Sequence, residues 1–412
     1  MSFGRSVTDW PVGLTLHDPG KCSPGYTLFC PLASPAVYLM DVTGEVVHMW
    51  LAGMSPKKRT TPHAKYLGGG RILYESDWLT EMDWKGNVLW HYKPEGSDDD
   101  PHGGAGSIAW DPNYRVAHNH HDFQRLPNGN TLILASERVT NKDISPHELT
   151  SDYFIEITAD GKPVWAWHSD RHFDEFGFSD EARRLISEAP GTHMGLPWGD
   201  YLHTNTLEPL PDNALAGGDE RFKPGNILSC HRNTNTIFIV DKPSGRVVWH
   251  WGRDQLVGPH HPNMLPDGHI LVYDNGGQAG YPRRTRIFTR LVELNPATGR
   301  IVWQYVHQPR QFYPHKSFSF SWGSVQRLPN GNTLSLDGNR GRLFEVTPAG
   351  QIVWEYVNGF LGIFHYGTIK RIERGVYRCY RIPYEAVGDF SADFESGEKP
   401  FEATVARHPM MA

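Results

Sequence analysis

The sequence lacks most of what would tie it to a membrane or to nucleic acid. No apolar run approaches the ~20 residues a membrane-spanning helix needs. The opening MSFGRSVTDWPVGLTLHDPG has no basic segment followed by an apolar one, the mark of a secretory leader. Basic residues are not gathered anywhere: 40 Lys and Arg stand against 46 Asp and Glu, a net charge of −6. Without a basic stripe there is little to hold a phosphate backbone or an anionic bilayer. Cysteine is scarce. Cys22, Cys30, Cys230 and Cys379 form no CxxC pair, only Cys22 and Cys30 are close enough in sequence to invite a bridge, and four scattered thiols read as free. The expectation left by these absences is a soluble, cytoplasmic chain that acts on something small.

What the sequence does contain is aromatic and turn-rich: 12% aromatics with 14 Trp, 42 Gly and 31 Pro, a balance that favours an all-β repeat fold. Two motifs recur. QRLPNGNTL occupies Gln124–Leu132 and returns verbatim at Gln326–Leu334, with a looser copy at Met264–Leu271; each reads as strand, tight turn, strand. A second pattern, glycine, any residue, two mostly apolar residues, then Trp or His, starts at Gly44, Gly86, Gly161, Gly245, Gly299 and Gly350. That makes about six units of four strands. One such unit cannot bury both faces alone, so neighbours must stack, and closure into a ring leaves no long open edge. The expected fold is an all-β, six-bladed β-propeller over residues 26–390, with 1–25 as a lead segment and 391–412 as a tail. The first unit, Tyr26 to Trp50, has no LPNG-type hairpin before it. The run Gly367–Ile372 parallels Gly323–Leu328 and is expected to supply the missing inner strands, so that N- and C-terminal strands share one blade. Long inserts between Trp167 and Tyr201, where Ser179 is placed to cap a short helix, and around Gly276–Arg290 are expected at one rim.

In a propeller the first strand of each blade faces the axis, so residues before the turns converge. This sequence places there His63, His120, His121, Asp122, Asp200, His203, His260, His261, Trp322 and His365. His121 and His260 each stand five residues before Leu126 and Leu265, which puts them in one register. Burying so many imidazoles without purpose is costly, and the cluster points to function. Trp90, Trp165, Trp249, Trp303 and Trp354, on outer strands, are assigned to packing between blades. Two chemistries remain open. Three or four neutral imidazoles, His121, His203, His260 and His63, would bind a transition metal, oriented by Asp122 or Asp200. Alternatively one imidazole is a nucleophile, while others and an inward arginine, Arg232, stabilise a transferred anionic group. His120, Asp122, His261, Trp322 and His365 are expected to contact substrate. Trp78, Trp198, Phe320, Trp322 and Phe364 near the blade entrances would line a pocket for a planar molecule. The run Asp98–Asp100 is read as solvated acid.

The segments GYTLFCPLASPAVYLMDVTGEVVHMW, HHDFQRLPNGNTL, DYLHTNTLEPLPD, NILSCHRNTNTIFIVDKPSGRVVWHWG and HHPNMLPDGHILVYDNGG follow one another in an order that resembles the arylsulfotransferase family, the bacterial aryl-sulfate sulfotransferases. The likeness spans about residues 26–380. It implies a six-bladed propeller in which a channel histidine takes a sulfuryl group from a phenolic sulfate ester and passes it to a phenol, with no nucleotide cofactor. Carried over by motif, His260 is the nucleophile. His121 (or His120) and His203 are general acid/base groups and sulfate ligands, and Arg232 binds the sulfuryl oxygens. A metal-dependent oxygenase, lyase or hydrolase holding one transition metal ion is the alternative, and a second histidine directly after His260 suits it.

Overall fold

The repeated turns show how few residues carry the conformational demand. Gly129, Gly268 and Gly331 have φ of 85°, 86° and 85°. The amide of each donates at 2.9 Å to the carbonyl of the leucine three residues earlier, and that leucine's amide donates at 2.8 Å to the residue after the glycine. Only the glycine is left-handed. Asn128 contributes through its side chain, whose Oδ1 accepts from the Asn130 amide at 3.0 Å, the usual work of asparagine in a turn.

In this computed structural model, residues 12–32, 34, 36–51, 63–75, 79–93, 118–191, 199–306, 318–366 and 369–388 are described. They build six antiparallel blades. The inner strands of blades 2 to 6 are Ala64–Gly68, His118–Arg125, Thr204–Pro209, Pro259–Met264 and Gly323–Arg327. Blade 1 is composite: Tyr26–Pro31, Ala36–Met40 and Val46–Leu51 are completed on the inside by Val376–Ile382. The closing strand therefore lies after the run that begins at Gly367. Gly362–Tyr366 and Ile369–Glu373 pair only with each other, as a separate hairpin. The expected match of Gly367–Ile372 to an inner strand reflects a shared hairpin pattern, whereas Val376, Tyr377, Arg378 and Cys379 are the residues buried against the ring. At the other end, Gly13–His17 adds a fifth strand to the rim of blade 6 by pairing with Ile352–Val357.

The ring is stitched by tryptophan. The indole N–H of Trp50 in blade 1 donates to the Asp83 carbonyl in blade 2 at 3.0 Å, and Trp90 to Ala159 at 2.7 Å. Trp167 continues to Gly245 at 2.7 Å, Trp249 to Pro296 at 3.1 Å and Trp303 to Pro348 at 2.9 Å. Trp354 of blade 6 returns to Val42 of blade 1 at 2.8 Å. Each indole reaches the outer turn of the next blade, and the sixth bond closes the circle. In blade 3 Trp167 takes this part, and Trp165 instead lies under the Lys242 ammonium. Third-strand carboxylates add ion pairs across the same seams: Glu81 with Arg125 at 2.8 Å, Glu293 with Arg327 at 2.6 Å, and Glu156 with Lys242.

The insert after blade 3 forms a helix, Asp180–Glu188, whose N-cap Ser179 accepts from the Ala182 amide. Ala182 and Ile186 bury against Phe173, Phe176 and Tyr201. That packing holds the segment entering blade 4. Gly199 (φ 71°) lies so close to blade 3 that a Cβ would meet the Glu148 carbonyl at 2.3 Å. All four cysteines are free thiols, and among the described residues no helix is long and apolar enough to cross a membrane.

The stitch at Trp354, fully buried, should matter more than the one at half-exposed Trp303. Trp354→Phe is expected to cost about 2–4 kcal/mol, combining a lost hydrogen bond with a buried void, and Trp303→Phe about 1 kcal/mol. Denaturant midpoints of the two variants check this; equal losses would show that burial does not weight the stitches.

Candidate active site

Where the inner strands of blades 3 to 6 begin, the backbone is strained. His121 (φ 68°), His203 (φ 52°), His261 (φ 49°) and Trp322 (φ 53°) are left-handed, and Asn235 (φ 58°) is the only other such non-glycine residue among those described. Such conformations cost on the order of 1 kcal/mol each and persist where surrounding structure fixes them. The inner strands are also irregular: those of blades 3, 4 and 5 carry bulges at Asp122, Asn205 and His261. As a result His120 and His260 each directly precede the left-handed residue of their strand, His121 and His261. Counting back from the turn had placed His121 with His260; blade 3 has one more residue in its bulge.

Four imidazoles gather at this end of the channel. His121 Nε2 and His203 Nε2 are 3.2 Å apart, and one ring nitrogen each from His120, His121 and His203 lies within 4.8 Å of the others. Three are held from behind by oxygen. His120 Nδ1 meets Asp152 Oδ1 at 2.8 Å, and His203 Nδ1 meets Asp200 Oδ2 at 2.5 Å. His260 Nδ1 meets Asn275 Oδ1 at 2.7 Å and the Gly258 carbonyl at 3.2 Å. The Asn275 amide nitrogen is committed to the carbonyls of Ser319, Ser321 and Trp322, so its oxygen is the group facing the ring. An oxygen that only accepts requires Nδ1–H, and the lone pair of His260 then belongs to Nε2. Burial, followed by the positive charge of Arg232, holds the His260 pKa well below the usual imidazole range. Burial and the neighbouring imidazoles do the same to His121, whose ring stacks on Tyr377 at 5.2 Å. His120 goes the other way: burial lowers its pKa, but the Asp152 carboxylate outweighs it and the net shift is upward.

Arg232 stands beside this group. It is buried to 1% exposure, its Nη1 donates to Asn233 Oδ1 at 2.9 Å, and Phe320 covers its face at 5.6 Å. Its Nε and Nη2 have no hydrogen-bond partner. Among the described residues no carboxylate pairs with it. Burial pulls its pKa down to about 10, so at neutral pH it is a buried cation with two unused donors. Buried charge is costly unless compensated, and the Asp200 carboxylate acts on this one without pairing to it.

A second polar group lies further along the axis, and there every charge is answered. Asp122 is paired with Lys65 at 2.8 Å and Arg378 at 2.9 Å, and its oxygens also accept from the amides of Phe123 and Leu207. Its acceptors are engaged in joining blades 1 to 4, which leaves it no part in orienting the imidazole cluster. His63 is within 3.4 Å of Asp122 and stacks on Phe123. His261 accepts the Val325 amide on Nδ1 at 3.2 Å. Neither joins the His120–His121–His203 group. Trp322 is spent packing against Gly338 and Gly375, and Phe320 meets the arginine instead. His365 and Phe364 belong to the separate hairpin, and their side chains, like Trp78, Trp198 and Asp98–Asp100, lie outside the described residues. Asp152, Asn275 and Tyr377 were not expected from sequence. A lone aspartate in the apolar strand Leu149–Ile157 was the available signal for the first; Asn275, in Asp-Asn-Gly-Gly, reads as turn.

An axial cluster of imidazoles, two of them held by carboxylates, thus stands beside a buried arginine that has no carboxylate paired to it among the described residues. The profile of the family described as Arylsulfotransferase (ASST) matches residues 78–359. This chain belongs to that family, one of transferases. No curated protein sequence matches it. Solved structures similar to it include a protein of unknown function from Bacteroides caccae, at 14% identity and TM-score 0.48, covering 85% of this chain and 98% of that one. A streptogramin B lyase follows at 10% identity and TM-score 0.43, covering 90% and 93%. Virginiamycin B lyase from Staphylococcus aureus stands at 11% identity and TM-score 0.43, covering 90% and 95%. Likeness at this level carries nothing about chemistry.

Two buried histidines outside the cluster, His231 and His63, contribute to the acid response. His231, between Phe176 and Phe238, and His63 have their pKa values lowered by burial from 6.5 to about 3. Between those values the unfolded chain binds the proton and the folded one does not, so stability falls as pH drops. His231→Phe, which removes two buried unpaired nitrogens, should lessen that fall by up to about 1.4 kcal/mol per pH unit. Urea midpoints at about pH 4 and about pH 7 test it; an unchanged difference would show that His231 does not set the slope.

Proposed function

We propose that the protein transfers a sulfuryl group from an aryl sulfate to a phenolic acceptor through a covalent intermediate on His260. The observation that carries this reading is the buried Arg232 with two unpaired donors beside an imidazole whose lone pair is fixed on Nε2. A guanidinium answers the charge of a tetrahedral oxyanion with directed N–H bonds, and an unprotonated ring is what a nucleophile must be. Phe320 beside the arginine offers a flat apolar face that suits an aromatic substrate. In the first half-reaction His260 Nε2 bonds to sulfur as the S–O bond to the aryl group breaks. The departing oxygen keeps the electron pair and takes a proton from His120, whose Asp152 partner favours the protonated ring. His121 and His203 bind the oxygens in flight. In the second half the acceptor phenol returns a proton to His120, its oxygen bonds to sulfur, and the N–S bond breaks. The four free thiols support a reducing, cytoplasmic setting.

His260→Ala should abolish transfer from an aryl sulfate, and Arg232→Lys should lower kcat by about 10²–10³. Rapid quench with the wild type should yield a His260 peptide heavier by one SO₃ group. Full turnover by His260→Ala would remove it as the nucleophile, and a label on another residue would reassign the role.

A further inference from the structure

We infer that His120, His121 and His203 form a binding site for one borderline divalent transition-metal ion, of the Zn²⁺ or Co²⁺ kind, next to the Arg232 pocket. The first observation is a distance. Two imidazole nitrogens bound to one tetrahedral ion at about 2.1 Å lie about 3.4 Å apart, and His121 Nε2 and His203 Nε2 are already 3.2 Å from each other. With one nitrogen from each of the three rings inside 4.8 Å, closing on a common ion asks the third ring to move by about an ångström. The second observation is the backing. His120 and His203 each give Nδ1–H to an aspartate, Asp152 and Asp200. This is the carboxylate–histidine arrangement that fixes tautomer and ring direction in metal sites and presents Nε2 as the donor. Asp152 is itself anchored, accepting from Ser136 Oγ at 2.7 Å and from the Thr204 amide at 2.7 Å.

All three donors are imidazole, with no carboxylate joining the group among the described residues, and this set selects borderline transition metals over Ca²⁺ or Mg²⁺. His203 keeps 13% of its side chain exposed, which gives an ion a way in. The structure separates this set from the other histidines of the axis. His260 turns Nδ1 to Asn275 and stands with Arg232, His261 is tied to the Val325 amide, and His63 to Asp122. The ion and the proton-transfer role of His120 exclude one another, because Nδ1 is committed to Asp152 and both would use Nε2. An ion held there would neutralise charge on an oxygen of any anionic substrate seated at Arg232.

The test is titration of chelator-dialysed full-length protein with Co²⁺, read by its visible absorption and by metal content after desalting. About one equivalent with the absorption of nitrogen-ligated Co²⁺ is expected. His121→Ala and His203→Ala should abolish it, with circular dichroism checking the fold. Asp200→Asn, which removes no ligand, should weaken binding about 10–100-fold, so the inference stays testable if the alanine variants misfold. His269→Ala is the control for the surface group Asp267, His269 and Glu293. No stoichiometric binding, or binding lost in His269→Ala and kept in the channel variants, would overturn the inference. His260→Ala separates the two readings, since it should lose transfer from an aryl sulfate while keeping the metal.

Discussion

The architecture depends on six hydrogen bonds that run one way around the ring. Each is an indole N–H given to a backbone carbonyl in the outer turn of the following blade, and the last runs from Trp354 to Val42. An indole buries a large apolar face and still needs a partner for its single polar atom. Here one side chain fills the seam and, through that atom, fixes how far each blade is rotated against the next. The inner strands inherit their spacing from this outer frame. Side chains from blades 3 and 4 meet at 3.2 Å on the axis because the rim leaves no freedom to splay.

Along that axis polarity is handled in two opposite ways. Around Asp122 each charge has a partner: two cations and two amides meet one carboxylate in a network that ties blades together. Around Arg232 this is not so. The same fold that supplies Asp122 with more partners than it needs leaves a guanidinium with two donors unmet. The contrast matters because both groups are equally inaccessible to water. One is a structural joint, and the other keeps two donors unpaired.

Much of this was legible in the sequence, for physical reasons. The Gly-x-apolar-apolar-Trp repeat states the blade count because every copy must turn at its glycine and cover its seam, and Gly44 through Gly350 all have positive φ. Histidines before the turns had to converge once the ring was granted. What could not be read were features that depend on a single residue of offset. The bulge at Asp122 is one residue longer than that at His261, which moves His120 into the place of His260 and sends Asp122 to Arg378. Arg378 itself lies on a strand the sequence did not declare, because VYRCYRI alternates weakly and no turn of the LPNG type precedes it. Asn275 and Asp152 act through an oxygen aimed at a ring, and nothing in strand or turn patterning marks the direction of a side chain.

The composite blade has a bearing on how the protein comes to be active during synthesis. Val376–Ile382 is the innermost strand of blade 1 and leaves the ribosome after every other strand of the ring. It brings Tyr377, the face on which His121 rests, and Arg378, the counter-charge of Asp122. A nascent chain with five finished blades therefore holds its imidazoles with one wall of the channel missing and a buried aspartate short of its main partner. Competence arrives with the clasp. The cell cannot obtain a working site from an unclosed ring, and the chemistry is withheld until the fold has been completed.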